Sequence, residues 1–386
     1  MKPSHAALAA ISGLFTLSSC SNTVPVAATQ TEYFEYQNPI TAGIDPNGLR
    51  DCQVFREGDW WYLTGTSYPH WSRQETDGEL NQGVVLYRSK DLNHWDFVDY
   101  VVERPQPDKW YYRRFWAPEI HKIGGKWYAL FNARNDELGY EGQYTGYAVA
   151  ENLEGPYRVV TEEAPLTKGN DLTFFEDDDG KVWAFWNQGR GFGIGFAQID
   201  LETGTFLTEP VSAIQPGKVD YALNMDGSRQ KTPGYDGRPI DKVEKYYEWD
   251  SIGIEGAYVI KNEDTYYLFY SSWTRGYEIG YATAKTITGP WTKHPNNPFY
   301  GAQNQEMAEQ RGFKYEGDTA NPFNQVGHNE VFTGPDGRLW LSAHGIIEGQ
   351  SPMLVIDPIW FDADGNLQSD GPTYTPQRVP LRPRSR

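Results

Sequence analysis

One pattern recurs five times along this chain, and it leaves few folds open. A polar turn followed by an aromatic strand reads Arg56-Glu57-Gly58-Asp59-Trp60-Trp61-Tyr62-Leu63, then Ile123-Gly124-Gly125-Lys126-Trp127-Tyr128, then Asp178-Asp179-Gly180-Lys181-Val182-Trp183. It returns as Asn262-Glu263-Asp264-Thr265-Tyr266-Tyr267-Leu268 and as Pro335-Asp336-Gly337-Arg338-Leu339-Trp340-Leu341. Each copy carries Gly, Asn or Asp in the bend, where a hairpin needs positive φ. Third strands follow at Val84 to Ser89, Gly146 to Ala150, Gly193 to Ile199 and Glu278 to Ala284. Outer strands are marked by Asn93-His94-Trp95, Gly155-Pro156-Tyr157 and Gly289-Pro290-Trp291. Units of this length suit four-stranded blades with long loops. A β-sandwich of short strands would not explain the fivefold recurrence. The expected fold is therefore all-β, a single five-bladed β-propeller over residues 37–378.

The repeats also align candidate chemistry. Counting back about a dozen residues from Tyr62, Tyr128, Trp183, Tyr267 and Trp340 reaches Asp51, Ala117, Asp171, Glu255 and His328, with turns one residue shorter in the first two copies. Innermost propeller strands line the axis and start on one face, so three carboxylates and one imidazole are expected to share one funnel. Glu119, two residues beyond the ring position, points the same way along its strand and is expected deeper down.

Composition narrows the partners. A net charge of −18 with no basic stripe to offset it argues against nucleic acid and against an anionic membrane surface. The rings are numerous, 14 Trp and 26 Tyr, and such rings either pack between sheets or stack on sugar faces. Trp71, Trp116 and Trp186 lie on or near loops of the pocket face and are candidates for either use. Arg275, after Ser272-Trp273-Thr274, either reaches a sugar hydroxyl or lies on the surface. Neither a close His cluster nor a Cys pair suggests zinc.

The first 20 residues read as a targeting segment. Lys2 precedes an apolar run from Ala6 to Leu17, too short to span a membrane as a mature helix. Leu17-Ser18-Ser19-Cys20 then matches a bacterial lipobox, with Cys20 the acylated residue. Residues 21–36 read as a polar tether and 379–386 as a basic tail. Cys52 is then alone, so no intrachain disulfide is expected. The expected setting is the bacterial cell envelope, with membrane contact through the N-terminal lipid only.

With these motifs in order, the sequence resembles glycoside hydrolase family 43 from about Asn38 to Thr375. The resemblance rests on Arg50-Asp51-Cys52-Gln53-Val54 with Leu63-Thr64-Gly65-Thr66, on Trp116-Ala117-Pro118-Glu119-Ile120-His121, and on Asn170-Asp171 with Phe174-Phe175-Glu176-Asp177-Asp178. Ile254-Glu255-Gly256 with Tyr267-Leu268-Phe269-Tyr270-Ser271, and Gly327-His328, complete it. Cys52 stands where the family often has Pro, and the segment from about Gln215 to Trp249 is inserted. The resemblance implies a five-bladed propeller and hydrolysis with inversion. That chemistry needs an acid for the leaving oxygen and a base for water, roughly 6.5 to 9.5 Å apart. It implies Asp51 as base, Glu255 as acid, and Asp171 as the residue that holds the acid and raises its pKa. In similar propellers a histidine at the position of His328 faces an axial, water-coordinated calcium or another small ion, so His328 is a candidate for substrate or metal contact. No other cofactor is expected, and His121 reads as structural.

The leading functional expectation is an exo-acting hydrolase removing α-L-arabinofuranosyl or β-D-xylosyl units from plant or algal polysaccharides and oligosaccharides. A hydrolase of anhydrogalactose-ended red-algal galactan oligosaccharides is an alternative. A retaining fructosidase-type propeller fits less well, because its Arg-Asp motif would belong to a middle blade. A lipid-anchored propeller that binds glycan without cutting it is the alternative of another class, and three carboxylates at ring positions count against it.

Overall fold

The computed structural model describes residue 1 and residues 32–71, 74–75, 79–189, 193–233 and 239–381. The leader, Cys20, most of the tether and residues 382–386 lie outside the described residues.

Five antiparallel blades follow one another along the chain, the fourth and fifth continuous in one eight-stranded sheet through Tyr300–Gln303. Blade one is built from Leu49–Glu57, Trp60–Ser67, Gly83–Ser89 and Asp96–Glu103. Blade two starts with Arg113–Ile123, Lys126–Asn135 and Tyr140–Ala150, and blade three with Asn170–Glu176, Val182–Asn187 and Ile194–Asp200. Blade four has Ile254–Asn262, Thr265–Ser272 and Gly276–Ala284, and blade five Phe323–Thr333, Leu339–Ile347 and Met353–Pro358. The arrangement is a five-bladed β-propeller.

Aromatic rings hold the blades together. Each junction between neighbouring blades carries its own apolar cluster, for example Trp110, Phe115 and Phe131 between blades one and two. Between blades five and one, Trp340 meets Phe34 and Tyr36 edge-on. Most of the aromatic share of the sequence is spent here, on inter-sheet packing.

The N-terminal boundary differs from the sequence expectation. Residues 33–36, read as tether, form the strand Tyr33–Tyr36, paired with Gln377–Pro380. The reason is the alternation of that short run: Phe34 and Tyr36 are buried while Tyr33 and Glu35 face out. The paired unit therefore runs from residue 33 to 380. Ile40 bridges to Leu354 on blade five, so the chain's start is stitched to the last blade.

The insertion after blade three forms two small ladders, Val219–Tyr221 with Val243–Tyr246 and Lys231–Pro233 with Pro239–Asp241. Among the described residues no helix is long and apolar enough to cross a membrane.

Candidate active site

Every innermost strand breaks its ladder at the same place. The pairings skip at residues 51–52, 117–118, 171–172, 256–257 and 328–329, so two residues oppose one on the second strand. The first residue of each bulge has positive φ: Asp51 52°, Ala117 41°, Asp171 58°, Gly256 64° and His328 58°. Such a bulge bends the strand and re-aims its side chains toward the axis. Four of these positions carry a side chain in a backbone region that costs of order 1–2 kcal/mol to occupy.

This register corrects the sequence alignment in blade four. The position equivalent to Asp51, Asp171 and His328 is Gly256, and Glu255 belongs one step earlier, level with Arg50, Trp116, Asn170 and Gly327. The cause is the hairpin Asn262–Thr265, whose bend is only Glu263 and Asp264, with φ 51° at Glu263. It is one residue shorter than the turns of blades three and five, as in blades one and two.

A bulge frees a backbone N–H, and the preceding blade satisfies it. His344 Nδ1 accepts from the Asp51 amide at 3.0 Å, Thr66 Oγ1 from Ala117 at 2.7 Å, Asn132 Oδ1 from Asp171 at 3.0 Å and Ser271 Oγ from His328 at 2.8 Å. The fifth amide, of Gly256, donates to Asp171 Oδ2 at 2.8 Å. These acceptors were not singled out from the sequence. Their signal was available: each lies four residues after the second-strand aromatic.

Asp51 is buried, and burial alone would raise its pKa. The Arg50 charge, then that of His328, and a 2.6 Å hydrogen bond from Thr66 Oγ1, outweigh this and hold it well below the usual carboxylate range. His328 Nδ1 lies 3.3 Å from Asp51 Oδ1 and 3.9 Å from Asp171 Oδ2. Burial opposes its charge, but Asp51, Asp171 and Glu255 together raise its pKa. His344 is 3.4 Å from the same Asp51 oxygen, yet burial and the Arg50 charge keep it neutral, so this approach is not an ion pair.

Glu255 behaves oppositely. Burial, then the negative charge of Asp171, raise it to about 7, and Tyr277 donates its hydroxyl to Oε1 at 2.9 Å. Asp171 is raised by burial too, while accepting from Asn170 Nδ2 at 3.0 Å and Asn132 Nδ2 at 3.3 Å. One pocket thus holds a carboxylate kept ionised and a carboxylic acid kept protonated near neutral pH, the pair that acid and base chemistry on one bond requires.

The remaining sequence candidates divide. Trp116 is partly exposed and level with Glu255, and Trp71 lies partly exposed with the Arg50 guanidinium 5.2 Å from its ring centre. Trp186 is a correction: it is 2% exposed and stacked on Phe206 at 5.0 Å, so it packs the core between blades two and three and offers no face to sugar. Arg275 is a second correction, since its fork closes on Glu278 through Nε at 3.0 Å and a terminal nitrogen at 2.9 Å.

Below the bulges, Glu119, His328 and Glu330 are buried, each offering one ligand atom, with all three atoms within 4.8 Å of one another. His121 Nε2 lies 2.5 Å from Glu119 Oε2, whereas Glu119 Oε1 and Glu330 Oε2 have no hydrogen-bond partner. Orphaned carboxylate oxygens beside an imidazole fit a hard cation such as calcium.

A propeller whose axis gathers an ionised and a protonated carboxyl group is built as a glycoside hydrolase. The chain belongs to the glycosyl hydrolases family 43, whose family model matches residues 36–367. The extracellular exo-alpha-(1->5)-L-arabinofuranosidase of Streptomyces chartreusis is 26% identical over 318 residues, 78% of this chain and 80% of that one. The xylosidase/arabinosidase 43B of Humicola insolens is 24% identical over 327 residues, 80% of this chain and 48% of its own. The chain spans about half the length of several relatives it matches, at 48%, 45% and 52%. The crystal structure of a thermostable family-43 glycoside hydrolase matches with a TM-score of 0.64 at 25% identity, covering 90% of this chain and 100% of that one.

Proposed function

We propose that this hydrolase removes terminal α-L-arabinofuranosyl or β-D-xylosyl units from oligosaccharides and polysaccharides, with inversion at the anomeric carbon. The observation that carries the reading is the opposed protonation of Asp51 and Glu255 at the bulges of the innermost strands. Glu255 protonates the leaving oxygen, and Asp51 takes the proton of the attacking water from the other side. Asp171 acts through Glu255: its charge holds the acid's proton, and its Oδ2 anchors the Gly256 amide beside it. Relatives named for xylosidase and arabinofuranosidase activity support the sugar class. An axial cation held by Glu119, Glu330 and His328 belongs to the same reading. It would supply fixed positive charge under the pocket, and no step passes through it.

Kinetics on paired substrates test the roles. Glu255→Ala is expected to lose about 10²–10⁴-fold on a sugar leaving group and far less on an activated aryl glycoside, which needs little protonation. Asp51→Ala is expected to fail on both. Proton NMR of the first product should show the inverted anomer, and monosaccharide should appear from the first turnover of a linear arabinan or xylan. A retained anomer would sink the role assignment, and early release of long oligosaccharides would sink the terminal-unit reading.

A further inference from the structure

Among the described residues, Arg50 finds no carboxylate partner for its donors although it stands in the ionised centre. It occupies the same register position in blade one as Glu255 in blade four, one step before the bulge, and Trp116 holds that position in blade two. Side chains at this level therefore share the pocket wall with the acid. Arg50 is partly exposed as a residue, and the Trp71 ring backs its guanidinium at 5.2 Å. Its charge is felt most by Asp51, Tyr277 and Glu255, but among the described residues no carboxylate oxygen lies within ion-pair distance of it.

Among the described residues its only close polar contact is Nε to His344 Nε2 at 3.4 Å. Because His344 Nδ1 accepts the Asp51 amide, a neutral ring carries its proton on Nε2, and the contact brings two donors together. Among the described residues the whole fork of Arg50 is then without an acceptor, where a charged donor left unmatched is costly.

We propose that Arg50 reads the substrate directly: its planar fork takes two adjacent acceptor oxygens of the sugar seated between Asp51 and Glu255, with Trp71 holding the guanidinium in plane. The inference rests on the hydrolase reading of this site. An arginine fork suits paired oxygens, whether a vicinal diol or a carboxylate, and lysine cannot reproduce it.

The test compares wild type, Arg50→Lys and Arg50→Met on aryl β-D-xyloside, aryl α-L-arabinofuranoside, their 2-deoxy and 3-deoxy analogues, and aryl β-D-glucuronide. Arg50→Lys keeps the charge beside Asp51, so kcat on the preferred glycoside is expected to fall less than about 3-fold while KM rises about 10- to 100-fold, the range for a charge-assisted bond pair. Removing the hydroxyl that Arg50 reads should penalise wild type by a similar factor and Arg50→Lys hardly at all. A penalty confined to the glucuronide identifies the oxygen pair as a carboxylate. An unchanged KM in Arg50→Lys on every substrate overturns the proposal. If neither variant folds, wild type indifferent to loss of either hydroxyl, and without preference for the glucuronide, overturns it equally. Wild type acting only on the glucuronide sinks the pentoside reading but leaves the Arg50 result standing; wild type inert on all of them sinks both.

Discussion

At the scale of single residues the pocket works by pushing two carboxyl groups apart in acidity. Activity needs Asp51 ionised, a condition met throughout the usual pH range, and Glu255 protonated, a condition lost as pH rises through about 7. The pH profile of kcat/KM should therefore be flat on the acid side and fall with a basic limb near 7. Asp171→Asn tests the cause. The amide keeps the shape and can still accept the Gly256 N–H, but removes the negative charge that, after burial, does most to raise Glu255. Glu255 then ionises more easily, so the basic limb should move to lower pH by on the order of one unit, with a matching loss of rate at pH 7. A limb that stays near 7 would show that burial alone sets the acid. Asp51 and Asp171 were legible as ring residues because the repeats carry them in register. Tyr277, which bonds Glu255, was not, because a lone Tyr in an apolar strand reads first as packing.

At the scale of the strand, the device is the bulge followed by two residues of renewed alternation. It puts one ring of side chains at the bulge and another two positions deeper, where blades two and five bring Glu119 and Glu330 together beside His328. Burial and the neighbouring Glu119 raise Glu330 well above its ordinary value. Calcium bound there would be held by Glu119 of blade two and Glu330 of blade five and would offset their charge. The expected outcome is a melting temperature several degrees lower after exhaustive dialysis against EGTA at pH 8. Calcium should restore it, since a ligand at about 100 times its Kd adds about 2.7 kcal/mol. Glu330→Gln should melt at the same temperature with and without calcium. Equal melting of wild type in chelator and in calcium would refute the axial site. The sequence reading put Glu119 deeper than the ring by the period of a strand, but it could not pair it with Glu330. Registers within a blade are local, whereas contacts across the axis depend on how five blades close. The same limit produced the displaced register at Glu255: turn length is fixed by backbone conformation at Glu263 and Asp264, not by which residue types stand there.

At the scale of the whole molecule, the site exists only while the ring is closed, because all five bulge amides are held by a side chain from the blade before. Closure falls to the junction of first and last blades, where His344 of blade five holds Asp51 of blade one. What fastens that junction is a buried carboxylate at its rim. Asp357, at the outer strand of blade five, accepts from Tyr36 at 2.9 Å, Tyr300 at 2.6 Å, and Thr373 through its hydroxyl at 2.6 Å and its amide at 3.0 Å. It thereby ties together the N-terminal strand, the outer edge of blade four and the segment leading to the C-terminal strand. Asp357→Ala would strand two phenols, a hydroxyl and an amide in the interior. A loss of about 3–5 kcal/mol is expected in urea unfolding, against about 1 kcal/mol for Tyr36→Phe, which removes one bond and leaves the hub intact. Asp357→Asn keeps an acceptor oxygen and should fall between the two. Hydrogen exchange adds the spatial test: in Asp357→Asn the amides of residues 33–36 and 377–380 should lose protection first, before those of blades two and three. An Asp357→Ala variant no less stable than Tyr36→Phe would mean that the apolar cluster around Trp340, and not this hub, closes the propeller.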